Sequence, residues 1–142
     1  MRLLEMQHLM KDTPNIEPQC WTYELANGWT VFAGKTAEDN DALSLNFAKG
    51  TDLWFHVHGQ PGSHVLLRGP EGEEAGKELK EQAAAIAAWH SKARGGGKCT
   101  VDMTFARNVS KPRGAKPGLV CISGEKLIHT KPALPANAKE ET

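Results

Sequence analysis

What the sequence lacks narrows it at once. It has no apolar run close to the ~20 residues that a membrane-spanning helix needs. Its first residues, MRLLEMQHLMKD, are broken by Glu5, Gln7 and His8, so the continuous apolar core of a secretory signal is missing. A cytoplasmic protein with no membrane association is therefore expected. It has only three cysteines, Cys20, Cys99 and Cys121, far apart and without a CxxC pair. That pattern excludes a disulfide framework and a zinc ribbon, and suits reduced, partly buried thiols. Net charge is absent as well, since 17 Lys and Arg balance 17 Asp and Glu.

The balance hides an asymmetry. From Lys92 to Lys131 there are nine basic residues against only Asp102 and Glu125, a local charge of +7 that the rest of the chain offsets with −7. Such segregation points to a surface that meets a polyanion. The 142 residues, 39% hydrophobic and 24% charged, suit one globular domain with a real core.

Along the chain, residues 1–18 read as an arm and linker ending in TPNIEP. Residues 19–132 form the expected domain, and 133–142 a flexible tail. CWTYEL and WTVFAG alternate as strands around Asn27-Gly28, a strong hairpin signal. Thr36 is placed to cap a short helix, with Glu38 and Asp39 at its positive end and Gly50 as a stop. DLWFHV and HVLLR read as strands joined by a turn. The segment from Pro70 to Gly97 is the clearest helix: Leu79, Ala83, Ile86, Ala87 and His90 share a face, and Gly95-Gly96-Gly97 should end it. KCTVDMTFA is a further strand, RNVSKPRGAKPG a basic loop, and LVCIS with EKLIHT a final hairpin around Gly124. The fold class is thus α+β, a mostly antiparallel sheet with one long and one short helix.

The stretch DLWFHVHGQPGSHVLLR, Asp52 to Arg68, carries the densest chemistry. On a strand, Leu53, Phe55 and Val57 form a core face, while Asp52, Trp54, His56 and His58 point the other way. That second face admits three readings. His56, His58 and His64 could ligate a metal, with Asp52 as a carboxylate partner, in a small metal-dependent enzyme; the stretch fits no standard metal motif, however. Ser63, His64 and Asp52 are residue types of a hydrolytic triad, but no nucleophile elbow surrounds Ser63. Rings on an open sheet face can instead stack unpaired bases, unless a helix covers Trp54. Lys111, Arg113 and Lys116 in the basic loop would neutralise phosphates, so the nucleic-acid reading leads, with no cofactor and no bound metal. A protein-interaction module, with the loop meeting an acidic partner, is the other alternative.

The residues go further than this chemistry. Gly34, Asn40, Asp41 and Leu43, then D-x-W-x-H as Asp52, Trp54 and His56, then P-G-S-H as Pro61 to His64, then AAAIAAWHSKAR and the KPRGAKPG loop, together resemble the NFACT-R (NFACT RNA-binding) domain. That domain forms part of bacterial fibronectin-binding-protein-A-like proteins and of the eukaryotic nuclear export mediator factor. The likeness runs from about Trp21 to Pro132. It implies a non-enzymatic RNA-binding protein whose partner is transfer RNA or ribosomal RNA, including that of the large ribosomal subunit, in translation and ribosome-associated quality control. Taken with the chemistry of the strand and loop, it gives an expected RNA-contacting set of Asp52, Trp54, His56, His58, Ser63, His64, Lys111, Arg113 and Lys116. The chain leaves no room for the family's N-terminal domain or coiled coil, so a stand-alone member is expected.

Overall fold

The computed structural model describes residues 17–138; most of the expected N-terminal arm lies outside them. β1 (Cys20–Glu24) and β2 (Thr30–Gly34) form the hairpin expected around Asn27-Gly28. Both turn residues take positive φ, 60° and 84°, which asparagine and glycine tolerate best. α1 (Ala37–Asp41) starts at a complete capping box: Thr36 Oγ1 accepts from the Asp39 amide, and the Asp39 carboxylate accepts from the Thr36 amide. The helix continues as a π-helical turn, Ala42–Phe47.

β3 (Leu53–Val57) and β4 (Val65–Arg68) follow, then the long helix α2 (Lys77–Trp89) and β5 (Cys99–Phe105). α2 stops at Trp89, ahead of the three glycines expected to end it, because His90 leaves helical geometry at φ −90° and ψ 43°. The chain closes with β6 (Val109–Ser110), β7 (Cys121–Ile122) and β8 (Lys126–Thr130). The expected hairpin of the last two segments does not form. β7 pairs with β6 in a separate two-stranded ribbon, and β8 joins β5 at the edge of the main sheet.

That main sheet is antiparallel throughout, in the order β1-β2-β4-β3-β5-β8. Its register lines Ala33, Val65, Phe55 and Met103 across one face and Phe32, Leu66, Trp54 and Thr104 across the other. The first face packs under α2, where Ala83, Ala84, Ala87 and Ala88 let the helix approach closely around Ile86. The second face carries a smaller core of Leu43, Trp54, Leu66 and Ala106, flanked by Phe32, Phe47, Val109, Val120 and Ile122. So the sheet is covered on both sides, the second by the π-helical turn and the β6–β7 ribbon.

The tail expected to be flexible from residue 133 is held as far as Ala138. The Ala133 amide donates to Ala85 O, Leu134 and Ala138 pack on the core, and Asn137 Nδ2 donates to Glu24 O.

Gly34 is the tightest point of the frame. A Cβ there would sit 2.2 Å from Asn40 Oδ1 and 3.1 Å from the Asn40 backbone nitrogen. Gly34→Ala is therefore expected to destabilise the fold by about 1–3 kcal/mol, the usual cost of overpacking, read by chemical denaturation. An unchanged midpoint would mean that Asn40 moves aside freely.

Candidate nucleic-acid interface

Strand parity holds: Trp54 lies on the face opposite Leu53 and Phe55. That face, however, is closed. Trp54 is 2% exposed, beneath the short helical segment and not the long helix, and Asp52, Ser63 and His64 are buried with it. The expectation of an open stacking platform at Trp54 is corrected accordingly, since its indole has no exposed face for a base. Leu43 and Phe47, four residues apart, form the helical face that covers it.

The buried polar groups form a directed chain. Trp54 Nε1–H donates to Ser44 Oγ at 2.8 Å. Ser44 Oγ lies 2.7 Å from His64 Nδ1, and His64 Nε2 lies 3.0 Å from Gly118 O. A carbonyl only accepts, so Nε2 carries the proton, Nδ1 accepts, and the serine hydroxyl must donate to it. Burial pushes the His64 pKa down to about 4, and the neighbouring His56 adds to the shift, so the neutral ring required by this chain is the stable form. The His64 amide donates to Asn40 Oδ1, and Ser63 Oγ donates to Gly34 O at 2.6 Å. One side chain from β3, one from the π-helical turn and one preceding β4 thus reach a backbone carbonyl of the basic loop.

The loop is held from a second side. Asp41 accepts from the Gly118 amide at 3.1 Å and pairs with Lys111 Nζ at 3.0 Å. The same ammonium donates to the carbonyls of Lys116 and Leu119. An ammonium has three N–H donors, and Lys111 directs all of them inward. Lys111 in this way clamps the loop. Arg113 and Lys116, in contrast, are exposed. Gly114 and Gly118 turn the loop at φ 76° and 86°.

Asp52 is also structural. Arg68 grips its carboxylate through Nε and a terminal nitrogen, the latter at 2.7 Å, and stacks its guanidinium 4.4 Å over Phe47. His56 is half-buried and stacked near Trp54, its pKa lowered by burial against the opposing pull of Asp102. Of the three histidines His56, His58 and His64, His58 is the exposed one, 59% accessible, with Nδ1 donating to Asp102 at 2.9 Å. The three histidines share no focus. His64 has both ring nitrogens engaged, and among the described residues no group of three or more His, Cys, Asp or Glu is arranged to hold a metal ion. No helix among them is long and apolar enough to cross a membrane.

The class defined here is a doubly covered antiparallel sheet whose buried polar chain holds a basic loop against the surface. A family model described as the NFACT protein RNA binding domain matches residues 20–124, and the chain belongs to this family of RNA-binding domains. The Rqc2 homolog RqcH of Bacillus subtilis (strain 168) is 38% identical over 115 residues, covering 81% of this chain and 20% of its own length. The Rqc2 homolog RqcH of Streptococcus suis (strain 05ZYH33) is 36% identical over 130 residues, 91% of this chain and 23% of its own. The chain thus spans about a fifth of the length of these curated relatives. The solved structure of the C-terminal part of the fibronectin/fibrinogen-binding protein from Streptococcus suis superimposes with a TM-score of 0.74 at 36% identity, covering 83% of this chain and 47% of that one.

Two outcomes test the buried chain. Ser44→Ala leaves the Trp54 N–H and His64 Nδ1 without their partner and should cost about 1–3 kcal/mol, while Trp54→Ala should cost about 3–5 kcal/mol as a buried deletion. Urea titrations read both, and near-wild-type stability would remove the chain from its supporting role. The pH dependence follows from His64, whose pKa is about 4 when folded and about 6.5 when unfolded. Below pH 6.5 the unfolded chain takes up a proton that the folded chain refuses. Stability should therefore fall as the pH drops from about 6.5 to about 4; His90, which burial also holds at about 4, and His56 contribute to the same decline, so His64→Gln should make it shallower without abolishing it.

Proposed function

We propose that this chain is a non-enzymatic, cofactor-free RNA-binding module of the cytoplasm that engages transfer RNA or ribosomal RNA in ribosome-associated quality control. The observation that carries the reading is the basic loop 111–119. It is fixed from below by His64 and Asp41, and it presents Arg113 and Lys116 to solvent. A rigid loop gives its cations a set spacing without an ordering cost on binding. Contacts of this kind supply affinity and a strong salt dependence but carry no sequence information. Family membership and the likeness to the two Rqc2 homologs support the RNA and ribosome context.

The site residues divide by role in this reading. Arg113 and Lys116 contact phosphates. His58, with half-buried His56 behind it, adds polar contacts at the rim. Asp52, Trp54, His64 and Lys111 position the surface without touching RNA, and Ser63 ties the turn before β4 to the Gly34 carbonyl.

Arg113→Ala with Lys116→Ala should weaken binding to a transfer RNA and reduce the slope of log affinity against log salt by about two units, roughly one per lost phosphate contact. Folding stability should stay near wild type. Lys111→Ala should instead lower stability first, through the unpaired Asp41 and the loosened loop. An unchanged salt slope in the double variant would dismiss the loop as the phosphate site.

A further inference from the structure

A second basic surface lies where β1 meets the end of α2. A cleft of about 450 Å³ opens there, walled by Trp21, Lys35, Pro61 to Ser63, and the segment from Trp89 to Arg94. Lys35, Lys92 and Arg94 line it, and among the described residues no carboxylate does. Two indoles face it, both half-buried. Each has a cation against its ring: the Arg94 guanidinium 4.5 Å over Trp89, and Lys35 Nζ 5.4 Å over Trp21. Trp21 is backed by a parallel His90 ring at 4.2 Å, itself held by the Tyr23 hydroxyl at 2.6 Å.

The walls are fixed by backbone. The Ser63 amide donates to His90 O and the Lys92 amide to Pro61 O. Gly62 bridges Ser91, where a Cβ would come within 2.7 Å of the Ser91 side chain. The P-G-S-H motif therefore serves two surfaces: Pro61 to Ser63 wall the cleft, and His64 turns to the basic loop. The surfaces are adjacent as well, for Ala37 lines the cleft, and a Cβ on Gly118 of the loop would lie 3.3 Å from the Ala37 Cβ.

We propose that this cleft is a second RNA subsite, which takes an unpaired nucleotide of a strand whose neighbouring phosphates lie on the basic loop. The base stacks at Trp89 and its Arg94 guanidinium with the phosphate beside Lys92, while Trp21, its ring against His90 and Lys35, forms the back wall. Aromatic rings beside cations, with no carboxylate among the described lining residues, fit a base joined to phosphate. An acidic peptide would use the cations and leave the indoles idle. The inference rests on the RNA-binding reading above and deepens it from phosphate contact to base contact.

The test titrates the full chain with a ten-nucleotide oligouridylate, following tryptophan fluorescence. Of the four tryptophans, Trp29 and Trp54 are buried in the cores, so quenching reports Trp21 and Trp89. The wild type should be quenched. Trp89→Ala should weaken binding by about 5- to 150-fold, the range for loss of one base–aromatic stack. Lys92→Glu with Arg94→Glu should weaken it too, and guards against a folding defect in the Trp89 variant. Arg113→Ala with Lys116→Ala should shift the titration to higher oligouridylate concentration, because the strand loses its phosphate contacts on the loop, but should leave the full quench at saturation. If transfer RNA binds through the loop while the oligouridylate gives no quench, or if the cleft variants bind it normally, the subsite is refuted and the loop reading survives. If neither RNA binds, both readings fall. Uridine monophosphate binding as tightly as the oligomer, or a polyglutamate peptide competing equally in wild type and Trp89→Ala, would overturn the RNA-strand assignment.

Discussion

The structure turns on a hydrogen-bond chain that has no spare member. The Trp54 N–H donates to Ser44 Oγ, the Ser44 hydroxyl to His64 Nδ1, and His64 Nε2–H to the Gly118 carbonyl, all in one direction. In a low-dielectric interior such a chain is either complete or costly, because an orphaned buried donor keeps its full desolvation penalty. Completeness also fixes the His64 tautomer, and burial keeps the ring neutral so that Nδ1 can accept. The chain fastens a surface loop to the sheet, and so converts core packing into the placement of exposed cations.

Lys111 and Asp41 complete that placement by electrostatics. A lysine in a basic loop invites the assumption of phosphate contact, yet here the charge is turned inward to neutralise Asp41 and collect two loop carbonyls. Burying part of one cation lets the loop hold a rigid turn while Arg113 and Lys116 face outward. The net positive character of the loop is therefore smaller than its composition suggests, and its geometry is better defined.

Much of this was legible in the sequence, for local reasons. Asn27-Gly28, the Thr36 cap, the parity of Leu53 and Phe55, and the alanine face of α2 are set by dihedrals and periodicity within a few residues. What escaped depends on long-range partners. Parity told which side of β3 Trp54 occupies but not that the π-helical turn roofs it. Lys111 lies 70 residues from Asp41, and nothing in KPRGAKPG announces that pairing. The hairpin expected around Gly124 lost because β7 found β6 and β8 found the open edge of β5. The chain after Pro132 read as a tail because small residues and prolines carry no period, although Leu134 and Ala138 pack on the core.

The cleft at the end of α2 escaped for the same reason, since Trp21, Lys35, Pro61 and Trp89 come from four separate segments. Two signals were nonetheless present: Trp21 alternates with Tyr23 onto one face of β1, and the run from Trp89 to Arg94 places an aromatic ring beside three basic or imidazole side chains. A composition rich in cations and rings marks a surface only when the fold leaves those rings accessible. Here the same sheet buries the tryptophan of the D-x-W-x-H strand and leaves Trp21 and Trp89 partly open at its other end. The polar residues of D-x-W-x-H are then understood as the frame, and the basic loop with the adjoining cleft as the faces that the frame presents.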